Sequence, residues 1–418
     1  MDLTSSVDTL LAVAVVGVLA PLILAVLPGP RIPQVVLLLV GGMIIGPQVL
    51  DLGTPESIQI LADVGIGFVF LLAGYEVDVR LFARHEGRTA LLAWAISLLL
   101  AIGAVAALVS VGFVRDFVPV ALALTTTALG TLLPILREND MLRGNLGSHL
   151  LAAGAVGELL PILGVAIFLG VSNRLVALGS LAGVLVLALL LAAAARLRGR
   201  RVTEVVSGLQ HETNQITLRL TVLLLLLLIA TTDRFHLDAV LGAFAAGMVL
   251  RRWSGVAAPV LEGKMDAVAY GFFVPIFFVY SGMVLDLRSI AENPARVLVF
   301  FGLIVAIRGV PALLVYRGAL DRRERVETLL ITATTLPLLV ALTEIGRRNG
   351  VMLAENAAAL VGAGMLTVLF LPAAAVALHR RGRPGTGQEL DPADRVAESG
   401  PGGEGPGAGD PRRPPGAG

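Results

Sequence analysis

The chain has 418 residues, of which 56% are hydrophobic and 15% charged, and its formal net charge is +1. Soluble domains carry about 25% charged residues, so this composition, with a mean hydropathy of +0.85, excludes an ordinary soluble domain and points to a polytopic membrane protein. The near-neutral balance gives no reason to invoke nucleic acid, and the absence of cysteine excludes disulfides, thiolate metal sites and thiol chemistry.

The first ten residues, MDLTSSVDTL, are acidic and lack Lys and Arg. A cleavable signal needs a basic n-region, so the first apolar run is expected to stay as a span. Thirteen apolar segments follow in chain order: 7–27, 33–50, 58–74, 90–111, 117–136, 146–170, 175–195, 217–232, 238–250, 268–285, 297–315, 328–345 and 357–378. Most reach the ~17–25 residues that a spanning helix needs, while the eighth and ninth are short enough to be re-entrant or buried.

Charge decides between those readings. With the N-terminus outside and every segment crossing, the inner loops hold 21 basic residues and the outer loops 7. Cytoplasmic loops carry the excess of Lys and Arg. The expected topology is therefore an all-α protein of about 13 transmembrane helices, N-terminus outside and C-terminus cytoplasmic, in the cell membrane. Residues 1–379 form the transmembrane domain. The Pro/Gly-rich stretch 380–418 is expected to be a disordered cytoplasmic tail. There is no GxGxxG or Walker motif, and no HExxH or nucleophile elbow, so no enzyme and no cofactor is expected.

Within the spans, Gly41, Gly42 and Gly46 allow close helix packing. The fifth segment reads ALALTTTALGTLLPIL and the twelfth LLITATTLPLLVALTEIG. Both are apolar helices interrupted by a Thr cluster with Gly or Pro behind it. Inverted-repeat transporters place such broken helices at matching positions of their two halves, with the ion site between them. Thr125, Thr126, Thr127, Thr334 and Thr335 are the candidate oxygen ligands, since hard cations favour oxygen. The alternative is that their hydroxyls bond back to carbonyls three or four residues earlier and only bend the helices.

Two ionisable residues lie deep in apolar runs beside these breaks: Glu158 in the sixth segment and Arg308 in the eleventh. A charge at mid-membrane costs roughly 2.5–3.5 kcal/mol and marks a substrate or proton path by default. The charged form of Glu158 needs a compensating cation: a proton, a metal ion or Arg308. Arg308 stays protonated, so it can neutralise Glu158 or cap broken-helix carbonyls. This pairing suggests a secondary transporter. Glu344 and Asp63, near outer helix ends, are expected to be interfacial. Glu76, Asp78, Arg80 and Arg84 are expected to be loop charges, and His149 and His236 solvated loop histidines.

Three stretches carry a family resemblance. IPQVVLLLVGGMIIGPQVLDLG resembles the second-span motif of the monovalent cation:proton antiporter family 2. LADVGIGFVFLLAGYEVDVRLF is similar to its third-span motif, and YGFFVPIFFVYSGMVLDL to its PIFFVSVGL motif. The resemblance covers about residues 7–378. It implies inverted repeats with two crossed broken helices, a dimerisation domain, a homodimer, and exchange of Na⁺ or K⁺ for H⁺ by an elevator-like motion. The matching positions are the two Thr breaks, Glu158 and Arg308. Where many members carry an Asp-Asp or Asn-Asp pair, this chain has Gly157-Glu158. A single carboxylate implies electroneutral exchange of one cation per proton. The lack of a regulatory nucleotide-binding domain argues against a glutathione-gated potassium efflux system. The alternatives are a related-fold transporter of an organic anion that uses Arg308, and a non-transporting membrane sensor.

Overall fold

Every element among the described residues is helical. The computed structural model describes residues 3–26, 33–76, 84–168, 239–254 and 258–381, with single positions 219, 222, 223 and 226 besides. The seventh apolar segment, almost all of the eighth, His236, Asp78, Arg80 and the tail beyond Arg381 lie outside them. Eight helices among the described residues are long and apolar enough to cross a membrane.

In chain order, α1 spans Leu3–Val26, α2 Gln34–Ile45, α3 Pro55–Glu76 and α4 His85–Ser110. Helices α5 (Phe117–Ala123) and α6 (Leu129–Glu138) come from one predicted segment, and α7 spans Gly144–Phe168. Then come α8 (Ala239–Ser254), α9 (Ala258–Val268), a π turn (Ala269–Phe273) and α10 (Val274–Met283). A short α11 (Leu287–Glu292) leads into α12 (Pro294–Val315) and a 3₁₀ turn (Tyr316–Gly318). The next predicted segment is again split, into α13 (Arg322–Thr332) and α14 (Pro337–Arg348), before α15 (Ala354–Arg381).

These runs are helical because an apolar environment offers the backbone no partner except its own. Where a helix starts in a polar loop, side chains supply the caps. At α13 the Asp321 carboxylate accepts from the Glu324 N–H, and the Glu324 carboxylate from the Asp321 N–H, a reciprocal capping box. The glycine cluster of α2 packs as expected. A Cβ at Gly42 would lie 2.1 Å from the Val279 carbonyl oxygen of α10, so the two backbones touch directly.

The two helix breaks meet each other. The Ala128 N–H donates to the Thr334 carbonyl at 3.0 Å. The Thr126 and Thr335 hydroxyls share a hydrogen bond of 2.6 Å, and the Thr127 hydroxyl donates to the Thr332 carbonyl at 2.7 Å. Helix α7 supplies a third partner. Pro161 has no N–H, so the Gly157 carbonyl lacks its donor in the helical ladder, and the Thr127 N–H takes that place at 2.9 Å. The approach leaves no room for a side chain at 157: a Cβ there would lie 2.6 Å from both Arg308 Nη2 and Thr127 Oγ1.

At one end of the bundle, Arg348 ties three helices. Its guanidinium contacts the Glu344 carboxylate at 2.5 Å, pairs with Asp63 of α3 and lies over the Tyr280 ring of α10. Arg347 holds Glu344 from the other side at 3.0 Å. Glu344 is 5% exposed. The expectation of an interfacial Glu344 is therefore corrected: a buried carboxylate is stable here because two guanidinium groups satisfy it.

Two stability tests follow. Gly157→Ala should overpack the contact between α7 and the first break and cost about 1–3 kcal/mol, read as a lower melting temperature in detergent. Arg348→Ala should cost about 1 kcal/mol, because Arg347 still satisfies Glu344. A melting curve unchanged in either variant would contradict the packing described.

Candidate functional site

Arg308 projects from α12 into the junction of the two breaks and is 4% exposed. Its Nη2 donates to Thr127 Oγ1 at 2.7 Å, its Nε to the Thr332 carbonyl at 3.3 Å and its Nη1 to Ser97 Oγ at 3.4 Å. All three acceptors are neutral. Thr332 is the last residue of α13, and a helix C-terminus carries partial negative charge. The guanidinium therefore caps α13 and ties it to α4, α12 and the first break. No ion pair between Arg308 and Glu158 exists among the described residues.

Glu158 is half-buried and follows the Gly157 that contacts Arg308. Among the described residues its carboxylate makes no hydrogen bond and no ion pair. One turn earlier, a Cβ at Gly154 would lie 2.6 Å from Leu129 Cδ1. Residues four apart share a helix face, so Glu158 lies on the side of α7 that meets the start of α6. That helix N-terminus carries partial positive charge.

Glu76 comes to the same place. It is the last residue of α3, not a loop charge as expected. Its carboxylate oxygens lie 3.5 and 3.7 Å from where a Gly130 Cβ would be, and the Tyr270 hydroxyl lies 3.9 Å from that point. The carboxylates of Glu76 and Glu158 are within electrostatic reach of each other. Glu76 is exposed at the end of α3. Tyr270 sits in the π turn just before Pro275; such turns recur at functional sites. Sequence reasoning missed Glu76, although it closes the stretch FLLAGYE that carried part of the family resemblance.

The threonines divide into two groups. The hydroxyls of Thr125 and Thr334 donate to the carbonyls of Leu122 and Leu330 at 2.8 and 2.9 Å, the helix-bending arrangement. Thr126 bonds both back to Ala123 and across to Thr335, and Thr127 reaches across. Thr367 of α15 was not anticipated. Its hydroxyl accepts from the Thr335 N–H at 3.1 Å and approaches the Thr335 carbonyl at 3.0 Å. His149 is also corrected: it is 2% exposed, its Nδ1 donates to the Asn145 carbonyl at 2.9 Å, and its ring meets Tyr316 edge-on. It lies one turn inside α7, where the neighbouring helices enclose it. Among the described residues no group of three or more His, Asp or Glu side chains is placed to hold a metal ion.

Comparison with known proteins agrees with this architecture. Residues 8–378 match the family model described as "Sodium/hydrogen exchanger, transmembrane". The chain is 26% identical over 404 residues to the Bacillus subtilis (strain 168) protein named "Putative Na(+)/H(+) antiporter YjbQ", covering 90% of this chain and 64% of that one. It is 26% identical over 353 residues to "Probable Na(+)/H(+) antiporter 3" of Methanocaldococcus jannaschii, covering 82% and 89%. The solved sodium proton antiporter MjNhaP1 from Methanocaldococcus jannaschii has a similar fold, with a TM-score of 0.66 at 19% identity, covering 91% of this chain and 99% of that one. The match of a single family model over nearly all of the membrane region, on a helical frame of the same fold, places this chain in the sodium/hydrogen exchanger transmembrane family.

Proposed function

We propose that the chain is a secondary active antiporter that exchanges a monovalent cation, Na⁺ or K⁺, for H⁺ by alternating access, with both competing for Glu158. The observation that carries this reading is the unpaired state of Glu158. Arg308 is held by Thr127, Thr332 and Ser97, so it is not turned to the carboxylate. A carboxylate inside a membrane protein without a counter-charge needs a proton or a bound cation. One group that takes either, and not both at once, is what coupled exchange requires. A single such carboxylate supports one cation per proton, hence electroneutral exchange.

In this reading Thr125–Thr127, Thr334 and Thr335 join the two breaks, crossed as in inverted repeats, into a rigid frame beside the ion. Glu76 draws cations to the exposed mouth, where an acidic group raises local cation concentration. The family resemblance supports 13 spans, a homodimer and an elevator-like movement, and the charge bias of the loops supports a cytoplasmic C-terminus. The organic-anion alternative fits less well: the cavity that Arg308 lines has a free volume of only about 10 Å³, too small for such a solute.

Reconstitution in liposomes with a lumenal pH dye tests the reading. With an imposed proton gradient, Na⁺ or K⁺ should trigger proton movement in the wild type and none in Glu158→Gln. Retention of the response in that variant would refute the role of Glu158. The wild-type rate should not respond to membrane potential. Glu76→Gln should keep exchange but raise the cation KM about three- to tenfold; an unchanged KM would remove Glu76 from the entry path.

A further inference from the structure

The membrane helices fall into two groups. Among the described residues α1, α2, α3, α8 and α10 pack on one another, as do α4, α5, α7, α12, α13 and α14, and contacts between the groups are sparse. Helix α15 joins the second group through the bond between Thr367 and Thr335. Glycines mark the same division. A Cβ at Gly74 of α3 would run into the Phe244 carbonyl of α8, and one at Gly282 of α10 into the Leu39 carbonyl of α2. In the second group, a Cβ at Gly309 of α12 would meet Leu329 of α13, and one at Gly157 of α7 the Arg308 guanidinium. These close approaches bind each group internally and do not cross the boundary.

Arg348 does cross it. Its guanidinium contacts Glu344 one turn earlier on α14, pairs with Asp63 of α3 in the other group, and lies 5.2 Å from the centroid of the Tyr280 ring of α10. Two features suit a bond that is made and broken repeatedly. The Arg348 and Asp63 side chains are 26% and 36% exposed, and ion pairs within reach of water are weak; water can serve Asp63 once Arg348 has left. Buried Glu344 keeps both its arginines, because Arg347 and Arg348 lie on the same helix. Parting the groups therefore strands no buried charge, the outcome that would be costly.

Beside this bridge lies a crevice with a free volume of about 20 Å³, walled by α10 on one side and by α14 and α15 on the other. Ser281 of α10 faces Thr343, Glu344 and Arg347 of α14 across it. Ser281 is 4% exposed, and its hydroxyl has no hydrogen-bond partner in the protein. A surface that stayed packed would be better served by alanine at this position. A surface that parts would give the hydroxyl to water.

We propose that Arg348 is a reversible latch. Its pairing with Asp63 and its seat over Tyr280 hold the two helix groups together at this end of the bundle, and its release opens the crevice at Ser281. The latch rests on the alternating-access part of the reading above. It sets the balance between conformations and takes no part in binding the ion.

The test uses the absence of native cysteine, which makes Ser281→Cys a single reporter. In lipid nanodiscs the full chain with this change should react slowly with a charged thiol reagent. Adding Asp63→Asn or Arg348→Gln should speed the reaction about fivefold, the population shift that loss of an exposed ion pair supplies. Adding Asn356→Ala, which removes a hydrogen bond to Asp116 inside the second group, should leave the rate unchanged. In liposomes, a chain carrying Asp63→Cys and Arg348→Cys and joined there by a reducible thiol cross-linker should lose cation-driven proton movement and regain it on reduction. Equal labelling in all variants, or full exchange by the cross-linked chain, would overturn the latch. Faster labelling of the Asp63→Asn and Arg348→Gln chains, where the wild type shows no response to Na⁺ or K⁺, would uphold the latch and sink the antiport reading alone.

Discussion

The structure depends on the mutual satisfaction of two helix breaks in an apolar core. Interrupting a helix frees backbone N–H and C=O groups that hydrocarbon cannot serve, and each buried polar group left unmet is costly. Here the two breaks serve each other, through Ala128 to Thr334 and Thr127 to Thr332. Pro161 completes the arrangement by leaving the Gly157 carbonyl available to Thr127. Arg308 then caps the end of α13. The absence of a side chain at 157 follows from this packing. The volume that a side chain at 157 would occupy is filled by the Thr127 hydroxyl and the Arg308 guanidinium.

That packing has an electrostatic consequence. Arg308 and Glu158 sit on either side of one contact, yet they do not pair. The cation is committed to neutral oxygens and a helix terminus. The Glu158 carboxylate makes no hydrogen bond or ion pair among the described residues, on the side of α7 that meets the start of α6. Fixing a charge by helix termini and hydroxyls keeps it from collapsing onto its natural counter-ion. In the proposed antiport, a carboxylate kept free in this way is the group that exchanges its proton for a cation. At the other end of the bundle the opposite choice is made: Glu344, Asp63, Arg347 and Arg348 pair directly and tie α3 to α14.

Much of this was legible in the chain. Both helix breaks were found from Thr clusters followed by Gly or Pro, because helix interruption is a local property. The glycine pattern of α2 announced a close contact, and the two mid-span charges announced a site. What escaped was relational. Glu76 read as a boundary charge because it ends a helix, and only the position of Gly130 shows where its carboxylate points. His149 read as solvated because it lies near a segment edge, yet Tyr316 and the neighbouring helices enclose it. Of the two partners the sequence offered Arg308, Glu158 or a broken-helix carbonyl, the structure shows the carbonyl of Thr332, with the Thr127 hydroxyl beside it.

The sequence by itself determined the membrane class, the apolar segments, the sites of helix interruption and the two charges that any mechanism must explain. Each of these is set by hydrophobicity, backbone chemistry and charge within about twenty residues of chain. The tertiary structure alone decided which groups meet. The contacts that define the site join residues 205 and 209 positions apart, and nothing in the local pattern specifies such partners. They arise because packing brings several half-satisfied polar groups into one buried volume, where this arrangement leaves the backbone hydrogen-bonded and the arginine capped.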